Sequence, residues 1–135
     1  MRTPSHSPRR AARTLASLLL LVLLAASTAW ASPSNKWRLQ MSGHAKVDGE
    51  IELSFTPKGG TASSVVVPVA KGTGENAAAR LVRDTLKATF GKDVYKVETD
   101  DGEDVLVKKR GSTPDFEIIV VRNTADGLRI SLDRE

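Results

Sequence analysis

The stretch Thr99 to Asp104 (TDDGED) gathers four carboxylates around Gly102, a density that invites a cation. Calcium takes about six to eight oxygen ligands, and the usual loop spaces its acids as D-x-[DN]-x-[DN]-G with a distant Glu. Here the positions two and four before Asp101 are Thr99 and Val97, which breaks that spacing. A two-residue Asp-Gly hairpin fits better. Asp101 and Gly102 would take the positive φ angles, Asp100 and Glu103 would pair across the turn, and the other acids would solvate its tip. No metal is expected there.

A second motif, VVVPVAKGTGENA, places Gly72-x-Gly74-x-x-Ala77 after a strand pattern and at the mouth of a helix. That is the outline of a dinucleotide fingerprint, in which glycines let a pyrophosphate approach the helix N-terminus. The rest of the chain lacks the further helices a doubly wound fold requires. Asp100 also lies farther on than the usual spacing of ~20 residues. The glycines read as a flexible strand-to-helix turn, and no cofactor is expected. After residue 31, His44 is the one histidine, and it stands beside neither G-x-S-x-G nor H-E-x-x-H. The carboxylate pairs Glu50/Glu52 and Glu103/Asp104 sit on strand-like patterns and read as solvated faces. Trp37 and Tyr95 read as packing residues, too few for a nucleic-acid stacking platform. No catalytic constellation emerges.

The elements that would carry these residues begin after an export signal. Arg9, Arg10 and Arg13 form a positive n-region, LASLLLLVLLAAS an apolar stretch, and Ala29-Trp30-Ala31 a small-x-small cleavage site. The apolar stretch is shorter than the ~18–20 residues of a membrane span. Cleavage after Ala31 would leave Ser32–Glu135 as a single domain, secreted or periplasmic and not integral to the membrane. Four of the 20 Lys+Arg lie before Ala31 and none of the 16 Asp+Glu does, so residues 32–135 are formally neutral. The basic balance of the whole chain thus belongs to the signal and supplies no basic face for nucleic acid. With no cysteine, disulfides and thiol catalysis are excluded.

Period-two alternation predicts strands at KWRLQMSG, EIELSFT, SVVVPV, VYKVET, DVLVKK, FEIIVV and LRISLD. Asp48-Gly49, the PKGG run and NTADG are turn signals. Pro68 pushes the third strand toward a sheet edge. FEIIVV is apolar on both alternating sets and is expected at a sheet centre. One amphipathic helix is expected between Thr73 as N-cap and Gly91 as C-cap, with Ala78, Leu81, Val82, Thr85, Leu86 and Phe90 on its apolar stripe. The order βββαββββ gives an α+β fold: a mainly antiparallel sheet of about seven strands carrying one helix, open or curled so that strands also face strands.

From Gly49 to Lys109 the layout GEIELSFTPKGGTASSVVVPVAKGTGENAAARLVRDTL…YKVETDDGEDVLVKK is similar to the small β-β-α-β-β modules of phage tail and tail-sheath proteins. The resemblance rests on a Gly-Gly hairpin between two strands, a "VAxG" exit, an Ala-rich helix and a closing hairpin. It implies an assembly module without catalytic residues. The chain adds an export signal, one N-terminal strand and two C-terminal strands to that layout.

Taken together, the patterns lead to a non-enzymatic exported protein acting in protein binding or assembly, through a partner or through self-association. Its contacts are expected at edge strands, where unpaired N–H and C=O groups meet a partner. The candidates are the terminal strands, with Trp37, Arg38, Leu39 and Gln40 on the first and Arg129, Ile130 and Ser131 on the last. The alternative is a small-ligand or cell-wall binding module, with the helix and the Gly59–Gly60 and Gly72–Gly74 loops framing a cleft.

Overall fold

Among the described residues, alternation of apolar and polar residues resolves into seven strands, and a 3.6-residue repeat into one helix. They run β1 (Lys36–Gly43), β2 (Gly49–Pro57), β3 (Ser63–Val69), α1 (Glu75–Phe90), β4 (Tyr95–Asp100), β5 (Asp104–Lys109), β6 (Phe116–Asn123) and β7 (Leu128–Arg134). The computed structural model describes residues 32–135, so the expected signal segment lies outside the described residues. All strand pairings are antiparallel and divide between two sheets, in the orders β4-β5-β1-β7 and β3-β2-β6. The fold is α+β, in the expected order, but two sheets replace one.

Each strand turns alternate side chains into a shared core. Trp37, Leu39 and Met41 of β1, with Val105 and Val107 of β5, meet Ile51, Leu53 and Phe55 of β2 and Val65, Val67 and Val69 of β3. At one end Phe55 sits amid aromatic rings, 4.9 Å from Phe90, 5.7 Å from Tyr95 and 6.2 Å from Phe116 between centroids. The helix buries Ala78, Ala79, Val82 and Leu86 against β3 of one sheet and β4, β5 and β1 of the other. Gly91 ends it at φ 72°, donating its N–H to the Lys87 carbonyl at 3.0 Å. A residue without a Cβ suits that left-handed position.

Several expectations require correction. β1 lies between β5 and β7, so Trp37, Arg38, Leu39 and Gln40 do not belong to an edge strand. Position near a chain terminus says nothing about lateral position in a sheet, which long-range pairing sets. β6, by contrast, stands at the edge of its sheet and leaves Ile119 48% and Val121 52% exposed. Asp48-Gly49 joins strands of different sheets and makes no hairpin; the Asp48 carboxylate instead accepts the Lys71 N–H at 2.7 Å. The N-cap is Gly74 and not Thr73, whose hydroxyl is spent on the Ala70 carbonyl at 2.7 Å. At the acidic hairpin Asp101 and Gly102 do take positive φ (48° and 82°), yet Asp100 pairs with Asp104 and the loop has a third residue, Glu103. Its carbonyl is claimed by the Met41 N–H at 3.0 Å, which extends the β1–β5 pairing by one step.

The end of β1 and the β6–β7 turn come into close backbone contact. Gly43 (φ 76°) and Gly127 (φ 90°) face each other there: a Cβ on Gly43 would run into the Gly127 carbonyl, and one on Gly127 into the His44 carbonyl. Both the backbone conformation and the space demand glycine.

Candidate functional site

Two consecutive strands, β6 and β7, end different sheets and are joined by a short turn, and no ladder pairs them among the described residues. The opening between them is a seam in the double sheet, and hydrogen-bond alternation fixes which groups face it. Because Met41 turns its N–H to Glu103, Met41 and the residue opposite it on β7, Ile130, form a non-hydrogen-bonded pair. The ladder bonds to β1 therefore come from the alternate residues Arg129, Ser131 and Asp133, and the pairing continues where Glu135 donates to the Lys36 carbonyl at 3.1 Å. The backbone groups of Ile130 and Leu132 point away from β1, into the seam.

The same reasoning orients β6. Phe116 exchanges both backbone bonds with Ser34, 2.9 Å in each direction, on the side away from β2. Ile118 and Val120 follow at steps of two, before the bulge opposite Glu52 and Leu53, and so present their N–H and C=O groups on that same side. Val120, Ile130 and Leu132 are half-buried at the rim of the core. Ile118 and Val120 thus stand on one bank, Ile130 and Leu132 on the other.

Both ends of the seam are pinned. At one end the Ser34 bridge to Phe116 is joined by a Ser34 hydroxyl bond to the Glu135 carbonyl (3.2 Å) and by the Trp37 Nε1–H donating to the Phe116 carbonyl (2.8 Å). At the other, Asn123 organises the turn: its Oδ1 accepts the Ala125 N–H at 3.0 Å and its Nδ2 donates to the Leu128 carbonyl at 2.8 Å. The strands are held at their ends and left unjoined between.

The expected site residues part company accordingly. Arg129, Ile130 and Ser131 lie on an edge strand, with Ile130 facing the seam through its backbone and Arg129 and Ser131 exposed. Trp37 and Leu39 are buried in the core, and Gln40 is exposed on the outer face of an interior strand. Arg38 collects carboxylates, pairing with Asp104, with Asp100 at 3.2 Å and with Glu135. Its guanidinium is held even more firmly protonated than usual, first by Glu135 and then by Asp104. Glu135 in turn is held below the ordinary carboxylate range, chiefly by its bond from Lys36 and next by Arg38. Asp104 is 5% exposed, and its Oδ1 has no hydrogen-bond partner among the described residues. This network ties the C-terminal residue and the acidic hairpin across β1.

The remaining motifs find structural places. Glu50 and Glu52 both pair with Arg122 on the outer face of the three-stranded sheet. His44 is exposed and bridges to Gly74. Gly59, Gly72 and Gly74 open on empty space, and the cavity beside the end of α1 is lined by neither of their loops. Among the described residues no cluster of His, Asp or Glu has the makings of a metal site, and no helix is long and apolar enough to cross a membrane. What the sequence reading missed was Ile118, Val120 and Leu132. The signal lay in FEIIVV, whose outward set, Ile119 and Val121, stays about half exposed on the same strand that carries Ile118 and Val120. The chain matches no known protein family and no curated protein by sequence.

Proposed function

We propose that this chain is an exported, non-enzymatic binding protein that receives an extended segment of a partner polypeptide as an added strand between β6 and β7. One observation carries the reading: the backbone groups of Ile118 and Val120 on one bank and of Ile130 and Leu132 on the other face a seam that no strand of the described chain fills. An extended peptide offers N–H and C=O groups along both of its sides, so a single strand suits two edges at once. Alternate side chains of such a segment would cover Val120, Ile130 and Leu132, and the others would lie near the exposed Ile119 and Val121. The chemistry expected of the partner is therefore a short β-branched or aromatic alternation without proline.

The test uses Ser32–Glu135, a compact unit with its own core, and peptides selected on it from a random linear library. Alternating apolar peptides should be enriched and should slow amide exchange at Ile118, Val120, Ile130 and Leu132. Ile130→Pro removes an N–H that the β1 ladder does not use, and should weaken these peptides about tenfold or more. Peptides that bind Ile130→Pro as well as the parent would sink the reading. Concentration-dependent dimerisation with protection of the same amides would assign the seam to a second copy instead.

A further inference from the structure

Beside the end of α1, a cavity of about 390 Å³ opens between the helix terminus and β4. Its size falls within the range of small-molecule sites, about 300–1,000 Å³. Lys87 and Lys92 come to it from the helix end, Lys96 and Glu98 from β4, and Arg110 from the turn after β5. Four cations thus surround one carboxylate, in a chain whose residues 32–135 carry balanced charge. Lys96 pairs with Glu98 at 3.1 Å.

Lys87, Lys92 and Arg110 meet no carboxylate among the described residues, as is true of Lys46, Lys58 and Lys71 elsewhere on the surface, but the first three line one cavity together with Lys96. The negative end of the helix dipole favours Lys87 and Lys92 locally. It does not account for Lys96 and Arg110, which arrive on other elements. Tyr95 also lines the cavity, and burial raises its phenol pKa, so the hydroxyl stays neutral and able to donate.

We infer that this cleft binds a compact small-molecule polyanion carrying two or more phosphate or carboxylate groups. Arg110 offers a planar fork that such groups accept bidentately, and the lysines offer point charges around it. β4 and β7 are opposite ends of their sheet, so the site is separate from the seam and does not depend on the strand-addition reading.

Ser32–Glu135 is titrated with inorganic pyrophosphate and, separately, with citrate, following heat and amide shifts at rising salt. Saturable, salt-weakened binding with shifts centred on Gly91–Val97 and Arg110 is expected, and the preferred probe tells phosphate from carboxylate. Lys87→Gln/Lys92→Gln/Arg110→Gln should weaken it about tenfold or more, with Arg110→Gln alone giving part of the loss. Lys46→Gln/Lys58→Gln/Lys71→Gln removes the same charge at exposed sites away from the cleft and should leave affinity within about twofold. The proposal is overturned if neither probe saturates, or if the two triple variants lose equal affinity.

Discussion

The two sheets meet at two margins, and the chain treats them differently. On the β3 and β4 side, α1 lays Ala78, Ala79, Val82 and Leu86 over both sheets and seals the core. On the β6 and β7 side no such cover is present among the described residues, and Val120, Ile130 and Leu132 remain half-buried. Burying a helix stripe satisfies the apolar rim without needing backbone partners, because a helix bonds its own N–H and C=O groups. A strand edge carries both needs at once, apolar cover and hydrogen bonds, and only another extended segment meets them together. The sealed margin serves stability, and the open one is where the proposed partner strand would add.

Proline scanning breaks the comparison most sharply. Leu39 is in the interior strand and turns its backbone toward β5, so Leu39→Pro should leave Ser32–Glu135 unfolded, as circular dichroism would show. Ile130→Pro should keep the fold at a loss of about 1–2 kcal/mol in urea unfolding, because its N–H faces the seam. At the sealed margin, Leu86 is fully buried. Leu86→Ala should cost about 2–5 kcal/mol by the same measurement and leave peptide binding at the seam unchanged once corrected for folding.

Gly43→Ala should destabilise by more than about 1 kcal/mol, since its positive φ and the Gly127 carbonyl both oppose a Cβ. It should also weaken selected peptides by loosening the turn that pins the seam. Val121→Thr should move stability by less than about 0.5 kcal/mol while lowering peptide affinity, which isothermal titration would read. The smallest effect concerns pH. Glu135 has its folded pKa depressed, first by Lys36 and then by Arg38, so its contribution is present above the ordinary carboxylate value and is lost as pH falls through the folded value. Thermal midpoints of the parent should fall over that acid window more than those of Glu135→Gln.

Much of the fold was legible because alternation is local. Ile51, Leu53 and Phe55 announce an inward face without reference to any other strand, and Pro68 announces an edge that β3 does occupy. Lateral order was not legible. KWRLQM and LRISLD carry the same alternation, yet one is interior and the other an edge, since the distinction lies in residues far along the chain, Val105 and Val107 above all. FEIIVV misled for the opposite reason: apolar residues on both faces imply cover but do not say whether the cover belongs to the same chain.

The cleft beside α1 was invisible for a related cause. Lys87, Lys92, Lys96 and Arg110 are spread through the sequence among acids that balance them, and no spacing marks them as a set. Charge balance is a sum over composition, whereas a local excess of one sign depends on where the backbone brings side chains together. Element type, the α+β class and the inward set of each strand follow from short-range periodicity, and a reader of the chain alone can state them. The split into two sheets, the seam between β6 and β7 and the cationic cleft arise from pairings between distant segments. Those pairings depend on the combined burial and hydrogen bonding of the whole domain, which no short window of residues contains.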